Sequence, residues 1–133
     1  SRILGEPLKD PDGLDQLLTG RTGMDILLDS LGGAVSKLKP ADTAFPHRTA
    51  LASAQIYRSA TPETEADAAQ SVAEVRDGLA RLGATGGYVN YIEAAMPDWG
   101  VTYYGANLGR LRDVAREYDP DRVFNFPQSV HRA

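Results

Sequence analysis

Tyr88, Asn90 and Tyr91 are the densest group of side chains in this sequence able to do chemistry. A tyrosine can take a proton from a substrate, but its phenol titrates at about 10 in water, so it serves as a base at neutral pH only where neighbours stabilise the phenolate. Ser53, Gln55 and Tyr57 form a second group, alternating with Ala52, Ala54 and Ile56, so in an extended chain one face is polar and the other apolar. Asn125 and Gln128 add two amides in the tail. Each group also has a plainer reading. Paired tyrosines pack on pleated surfaces, and a polar strand face can simply meet water.

Several other chemistries are excluded by composition. The chain has no Cys, which removes disulfides, thiolate metal sites and thiol nucleophiles together. Its two His, His47 and His131, lie far apart and lack zinc-motif spacing, so no metal is expected. His47 has no nearby acid or nucleophile with which to form a triad and reads as structural. Gly32-Gly33 is a turn signal, since no phosphate-binding pattern surrounds it. Net charge is −4 and no basic run alternates with aromatics, which argues against a nucleic-acid partner. Apolar runs are far shorter than the roughly 20 residues that cross a bilayer, so no membrane partner is expected. The stretch from Ser1 to Pro11 lacks the apolar core of about 7 to 15 residues that a secretory leader needs.

The elements that must position these groups follow from periodicity. Residues 1–24 read as a lead-in of loop and short helix, the helix marked by Leu14, Leu17 and Leu18. In the body, residues 25–133, Asp25 to Leu31 reads as a strand, Gly32-Gly33 as a hairpin turn, and Ala34 to Leu38 as its return strand. A proline-containing loop runs from Lys39 to about Thr49, and Leu51 to Ser59 is the next strand. Thr61 and Pro62 open a helix whose apolar stripe is Val72, Val75, Leu79 and Leu82, stopped at Gly83. Gly86-Gly87 opens a strand through Glu93. Asp98 caps a second helix from Trp99 that buries Tyr104, Leu108, Leu111, Ala115 and Tyr118 and ends at Asp119-Pro120. The fold class is α+β, an antiparallel sheet with helices packed on one face. One conflict remains inside this layout. Strict alternation puts Tyr88 and Asn90 on the face opposite Tyr91, so the strand must end or bulge near Asn90, or one of the three is structural.

Tyr88-Val89-Asn90-Tyr91-Ile92-Glu93, followed by Asp98-Trp99, Tyr103-Tyr104-Gly105, Asn107-Leu108, Leu111, Tyr118-Asp119-Pro120, Phe124 and Pro127-Gln128-Ser129, resembles the C-terminal signature of the berberine-bridge-enzyme-like FAD-linked oxidases, within the vanillyl-alcohol-oxidase superfamily. The resemblance covers roughly residues 25 to 130, is dense from 88 to 129 and looser before 60. It implies the C-terminal part of a larger two-domain flavoenzyme, here the substrate domain, with FAD held mainly by an N-terminal domain or chain that this sequence lacks. It implies oxidation of a C–H bond next to O or N by hydride transfer to the flavin, with oxygen as terminal acceptor. Carried over residue by residue, Tyr91 is the base, Tyr88, Gln55 and Tyr57 face the small-molecule substrate, and Asn90 and Asn125 approach the cofactor. Glu93 stands where the family usually has Asp, a change expected to affect a local turn or salt bridge more than chemistry. Trp99, Tyr103, Tyr104, Asp119-Pro120 and Phe124 are expected to anchor the last helix and tail by aromatic burial.

A reading from another class is a self-standing α+β binding or dimerisation module without flavin, which a chain of 133 residues is long enough to form. Self-association is expected in addition, because a sheet that normally packs on another domain exposes apolar area.

Overall fold

The computed structural model describes all residues, 1–133. It contains strands β1 (Arg2–Leu4), β2 (Met24–Ser30) and β3 (Ala52–Arg58), and helices α1 (Pro11–Leu18), α2 (Glu65–Arg81), α3 (Trp99–Tyr104) and α4 (Leu108–Tyr118). The strands form one antiparallel sheet in the order β1-β3-β2. The fold is α+β, as the element pattern predicts. No helix is long and apolar enough to cross a membrane.

The core forms where the alternation of β3 meets two helices. Leu4, Ala54, Leu79 and Ala84 are buried together, with Leu14, Leu17, Ile26, Ala52 and Ile56 packed around them. The even-numbered side of β3 therefore faces α1 and α2. Asp10 caps α1, its carboxylate accepting the Gly13 amide at 3.1 Å ahead of Pro11 at the first turn. The opposite face of the sheet carries the cross-strand pairs Asp25 with Tyr57, Leu27 with Gln55, and Asp29 with Ser53.

The structure departs from the sequence reading in several places. Residues 35–37 form a 3₁₀ turn, and β2 pairs with β3 across the loop, not with a strand after Gly32-Gly33. A seven-residue strand such as β3 offers β2 a longer ladder than the short segment before Pro40 could. β1 was not anticipated, because three residues are too few to show a period. Helix α2 starts at Glu65, since Thr61 and Thr64 close a turn first, the Thr61 amide donating to the Thr64 hydroxyl at 2.9 Å.

Residues 86–93 are not a strand. Thr85 makes one bridge to Ile3, then Gly86 takes φ 63°, a conformation open to glycine, and turns the chain off the sheet. Finally, the helix expected from Trp99 onward is broken at Gly105, φ 51°, giving α3, a short 3₁₀ turn and α4. Tyr103 thereby becomes buried while Leu111 and Ala115 are half-buried and Tyr118 is 76% exposed. Asp98 makes no side-chain cap bond. Phe124 is 74% exposed, so the tail is not anchored by its ring. It is anchored by the Asp119 carboxylate, which accepts the Val123 and Phe124 amides at 2.7 and 3.1 Å and lies 3.1 Å from His131 Nε2.

Leu79, 1% exposed at the centre of the helix–sheet interface, is the side chain on which this packing turns. Leu79→Ala is expected to lower unfolding stability by about 2–5 kcal/mol, the usual cost of such a truncation. Chemical denaturation followed by circular dichroism measures it, and a loss below about 1 kcal/mol would contradict the core assignment.

Candidate active site

Where the chain leaves the sheet at Gly86 it folds into a tight turn, with the Tyr91 amide donating to the Tyr88 carbonyl at 2.9 Å. This turn resolves the conflict of faces: without strand alternation, Tyr88, Asn90 and Tyr91 all line one cleft of about 560 Å³. That size suits a small organic molecule. The two phenol rings stand edge to face, centroids 5.1 Å apart, and Phe45 continues the row at 5.6 Å from Tyr88. Arg48 lies over Phe45, 5.1 Å from its centroid. Leu31, just past β2, and Val35, from the segment that did not become a strand, close part of the wall.

Asp29 is the acid of this cleft. The Tyr91 hydroxyl donates to its carboxylate at 2.7 Å, and the Ser53 hydroxyl lies 3.4 Å from the same oxygen. The register that sets Asp29 against Ser53 on the cleft face therefore also aims the carboxylate at Tyr91. Its electrostatic effect is the reverse of what a free phenolate would need. The hydrogen bond to Asp29, then partial burial and the Asp29 charge, push the Tyr91 phenol above its ordinary range, because a phenolate beside a carboxylate loses a donor and gains a repulsion. Tyr91 is held as a neutral phenol with a ready acceptor for its proton.

The other candidates are dispersed. Asn90 donates to the Tyr88 hydroxyl at 2.8 Å, which fixes that oxygen as an acceptor and leaves its proton directed elsewhere. Gln55 lies outside the main cleft and lines a neighbouring hollow of about 130 Å³ with Tyr91 and Glu93. Tyr57 is farther along β3, half exposed, its hydroxyl 3.1 Å from Ser59 Oγ. Asn125 accepts from Arg132 Nε at 2.9 Å in the tail and does not reach the cleft. His47 packs edge-on to Phe45 at 5.4 Å, and burial pushes its imidazole below its ordinary range.

Asp29, Phe45 and Arg48 are among the cleft residues that the sequence does not mark as part of the site, whereas Ser53, from the polar face of β3, does reach it. The one signal for Asp29 was an acid closing the run Ile26-Leu27-Leu28. Its meaning depended on a strand register no single sequence prints.

Comparison with known proteins decides the family. Residues 87–131 match the model described as "Berberine and berberine like". The chain belongs to the berberine-bridge-like family. It is 38% identical over 100 residues to an uncharacterized FAD-linked oxidoreductase, YvdP, of Bacillus subtilis (strain 168), covering 74% of this chain and 22% of that protein. It is 35% identical over 113 residues to a chitooligosaccharide oxidase of Gibberella zeae, covering 77% and 23%. Among solved structures, Physcomitrella patens BBE-like 1 superposes with a TM-score of 0.86 at 26% identity, over 99% of this chain and 29% of that one. The chain thus spans less than a third of the length of these relatives.

FAD is the cofactor named for the oxidoreductase relatives, and the cleft fits one end of it. Aromatic and apolar walls suit a planar ring system and a substrate beside it. The diphosphate does not fit here, because the cleft's single cation, Arg48, already donates to the Phe45 carbonyl and the Thr43 hydroxyl.

The Tyr91–Asp29 contact makes a titration prediction. A Tyr91 resonance in tyrosine-ring ¹³C spectra should titrate above the ordinary value of about 10. Asp29→Asn, which removes the charge and weakens the acceptor, should bring it down. An unchanged titration in that variant would show that the two groups do not interact.

Proposed function

We propose that this berberine-bridge-like region forms the substrate half-site of an FAD-dependent oxidoreductase, with Tyr91 and Asp29 acting as a proton relay. The observation that supports it is the 2.7 Å bond from the Tyr91 hydroxyl to the Asp29 carboxylate at the wall of the cleft. A substrate hydroxyl or amine bound against the Tyr91 oxygen gives up its proton there as Tyr91 passes its own to Asp29. No free phenolate forms, so the raised titration of Tyr91 is no obstacle to this role. Bound FAD supplies the two-electron acceptor for the hydride that leaves the adjacent C–H bond. Tyr88, its oxygen fixed by Asn90, is placed to orient the substrate, and Phe45 offers an apolar ring surface alongside. Gln55 is placed to contact a longer substrate beyond Tyr91, while Tyr57 and Asn125 reach substrate or cofactor only from outside the cleft.

In the full-length flavoprotein, Tyr91→Phe and Asp29→Asn should each slow flavin reduction by about 10²–10⁴-fold, the usual share of a general base, with FAD still bound. Because the two act in series, the double variant should be little slower than either alone. A chitooligosaccharide and a cello-oligosaccharide serve as probes in single-turnover absorbance measurements. Unchanged reduction in Tyr91→Phe would overturn the relay.

The partner this reading requires is an FAD-binding domain or chain. Leu27 and Tyr57 on the cleft face of the sheet, and Val123 and Phe124 in the tail, are exposed apolar side chains suited to cover by such a partner or by a second copy. Co-expression with the FAD-binding segment of the same protein should give a yellow complex. A colourless, stable oligomer in light scattering that ignores that segment would favour the binding-module reading instead.

A further inference from the structure

We infer that Glu93, Arg76 and Tyr103 are positioning residues that hold Tyr91 at bonding distance from Asp29, an inference that rests on the relay proposed above. The need for such a device follows from the local structure. The turn carrying Tyr91 lies outside the sheet, and its one internal main-chain bond joins Tyr91 to Tyr88. No ladder fixes its angle, yet the contact with Asp29 must close across 62 residues of sequence at 2.7 Å.

Glu93, two residues after Tyr91, is tied down in three directions. Its carboxylate pairs with Arg76 of α2. Its amide donates to the Tyr103 hydroxyl of α3 at 3.0 Å, and its carbonyl accepts from the Gln128 side chain of the tail at 2.7 Å. Arg76 is only 6% exposed and is itself fixed, Nε donating to Asp77 at 2.8 Å. Tyr103, 2% exposed, serves both ends of the turn. Its hydroxyl holds Glu93, while its ring lies where a Cβ on Gly87 would come within 3.0 Å, and the Gly87 amide donates to the Thr102 carbonyl at 2.9 Å. The turn is thus stapled at both ends to one aromatic ring and at one end to a buried ion pair. Neither Glu93 nor Arg76 lines the main cleft, and Tyr103, whose ring borders it, has its hydroxyl engaged by the Glu93 amide. Glu93 also borders the hollow beside Gln55, so a short oligosaccharide that leaves that hollow empty isolates its effect on Tyr91.

The test is a double-mutant cycle in the full-length flavoprotein, reduced by a short chitooligosaccharide in single turnover. Glu93→Ala and Tyr103→Phe should each slow flavin reduction about 10- to 100-fold, the scale of a small misplacement of a reacting group, with FAD content unchanged. In the Tyr91→Phe background neither should slow it further, because the group they position is already gone. Equal losses in both backgrounds would overturn the inference and leave the relay standing. No loss from Tyr91→Phe itself would instead overturn the relay. Should Glu93→Ala fail to fold, Tyr103→Phe, which deletes a single oxygen, decides alone. Independently of turnover, the ¹³C titration of Tyr91 should fall toward about 10 in either variant, since a phenol displaced from Asp29 loses the cause of its shift. A titration that stays where the unaltered protein has it would count against positioning.

Discussion

The hydrogen bond from Tyr91 to Asp29 joins the one turn that leaves the sheet to the strand that flanks it, and the remaining architecture makes sense as what holds these two groups together. Asp29 is fixed by the β2–β3 ladder, where it faces Ser53. A slip of one residue in that ladder would turn the carboxylate to the opposite face of the sheet and send Leu28 to the cleft. The core under the sheet is therefore a condition of the site, because Ile26, Ala54 and Ile56 specify the register by which Asp29 faces outward.

Charge is distributed with the same logic. The cleft holds one acid among aromatic and apolar side chains, and its one cation is occupied by loop carbonyl and hydroxyl groups. The Tyr91 hydroxyl thus has a single carboxylate beside it, Asp29. The larger ionic cluster of Arg2, Arg76, Asp77 and Glu93 lies on the other side of the turn, where the buried Arg76 and half-buried Arg2 are paired and serve to fix backbone. A buried charge of this kind is costly to strand without its partner, which makes such a cluster a specific anchor more than a source of net stability.

The tail repeats the pattern of polar anchoring with apolar exposure. Asp119 gathers two amides and His131; burial opposes its ionisation, but these hydrogen bonds outweigh that and leave the carboxyl below its ordinary range. Gln128 reaches Glu93, while Val123 and Phe124 project outward. The aromatic residues that mark the family thus divide into two kinds: Tyr103 works inside this region, and Phe124 presents surface to whatever lies beyond it.

The helix–sheet layers were legible in the sequence because they arise from local periods: the stripe of α2 and the alternation of β3 each repeat within a few residues. The dense run of residues after Tyr88 was enough to indicate the family. What the sequence could not display was any pairing across a long loop. β2 could close on a nearby segment or on β3, and nothing in the residues between decides it. The period-2 appearance of residues 86–93 concealed a turn, since one glycine at positive φ outweighs a strand-like composition. Tyr91 could be named from its neighbours in sequence, but Asp29, the carboxylate that accepts its hydrogen bond, became its neighbour only when the sheet and the turn closed on each other. Residue identity fixed which groups could react. Tertiary packing decided which of them meet, because a hydrogen bond depends on distance in space, which chain order does not set.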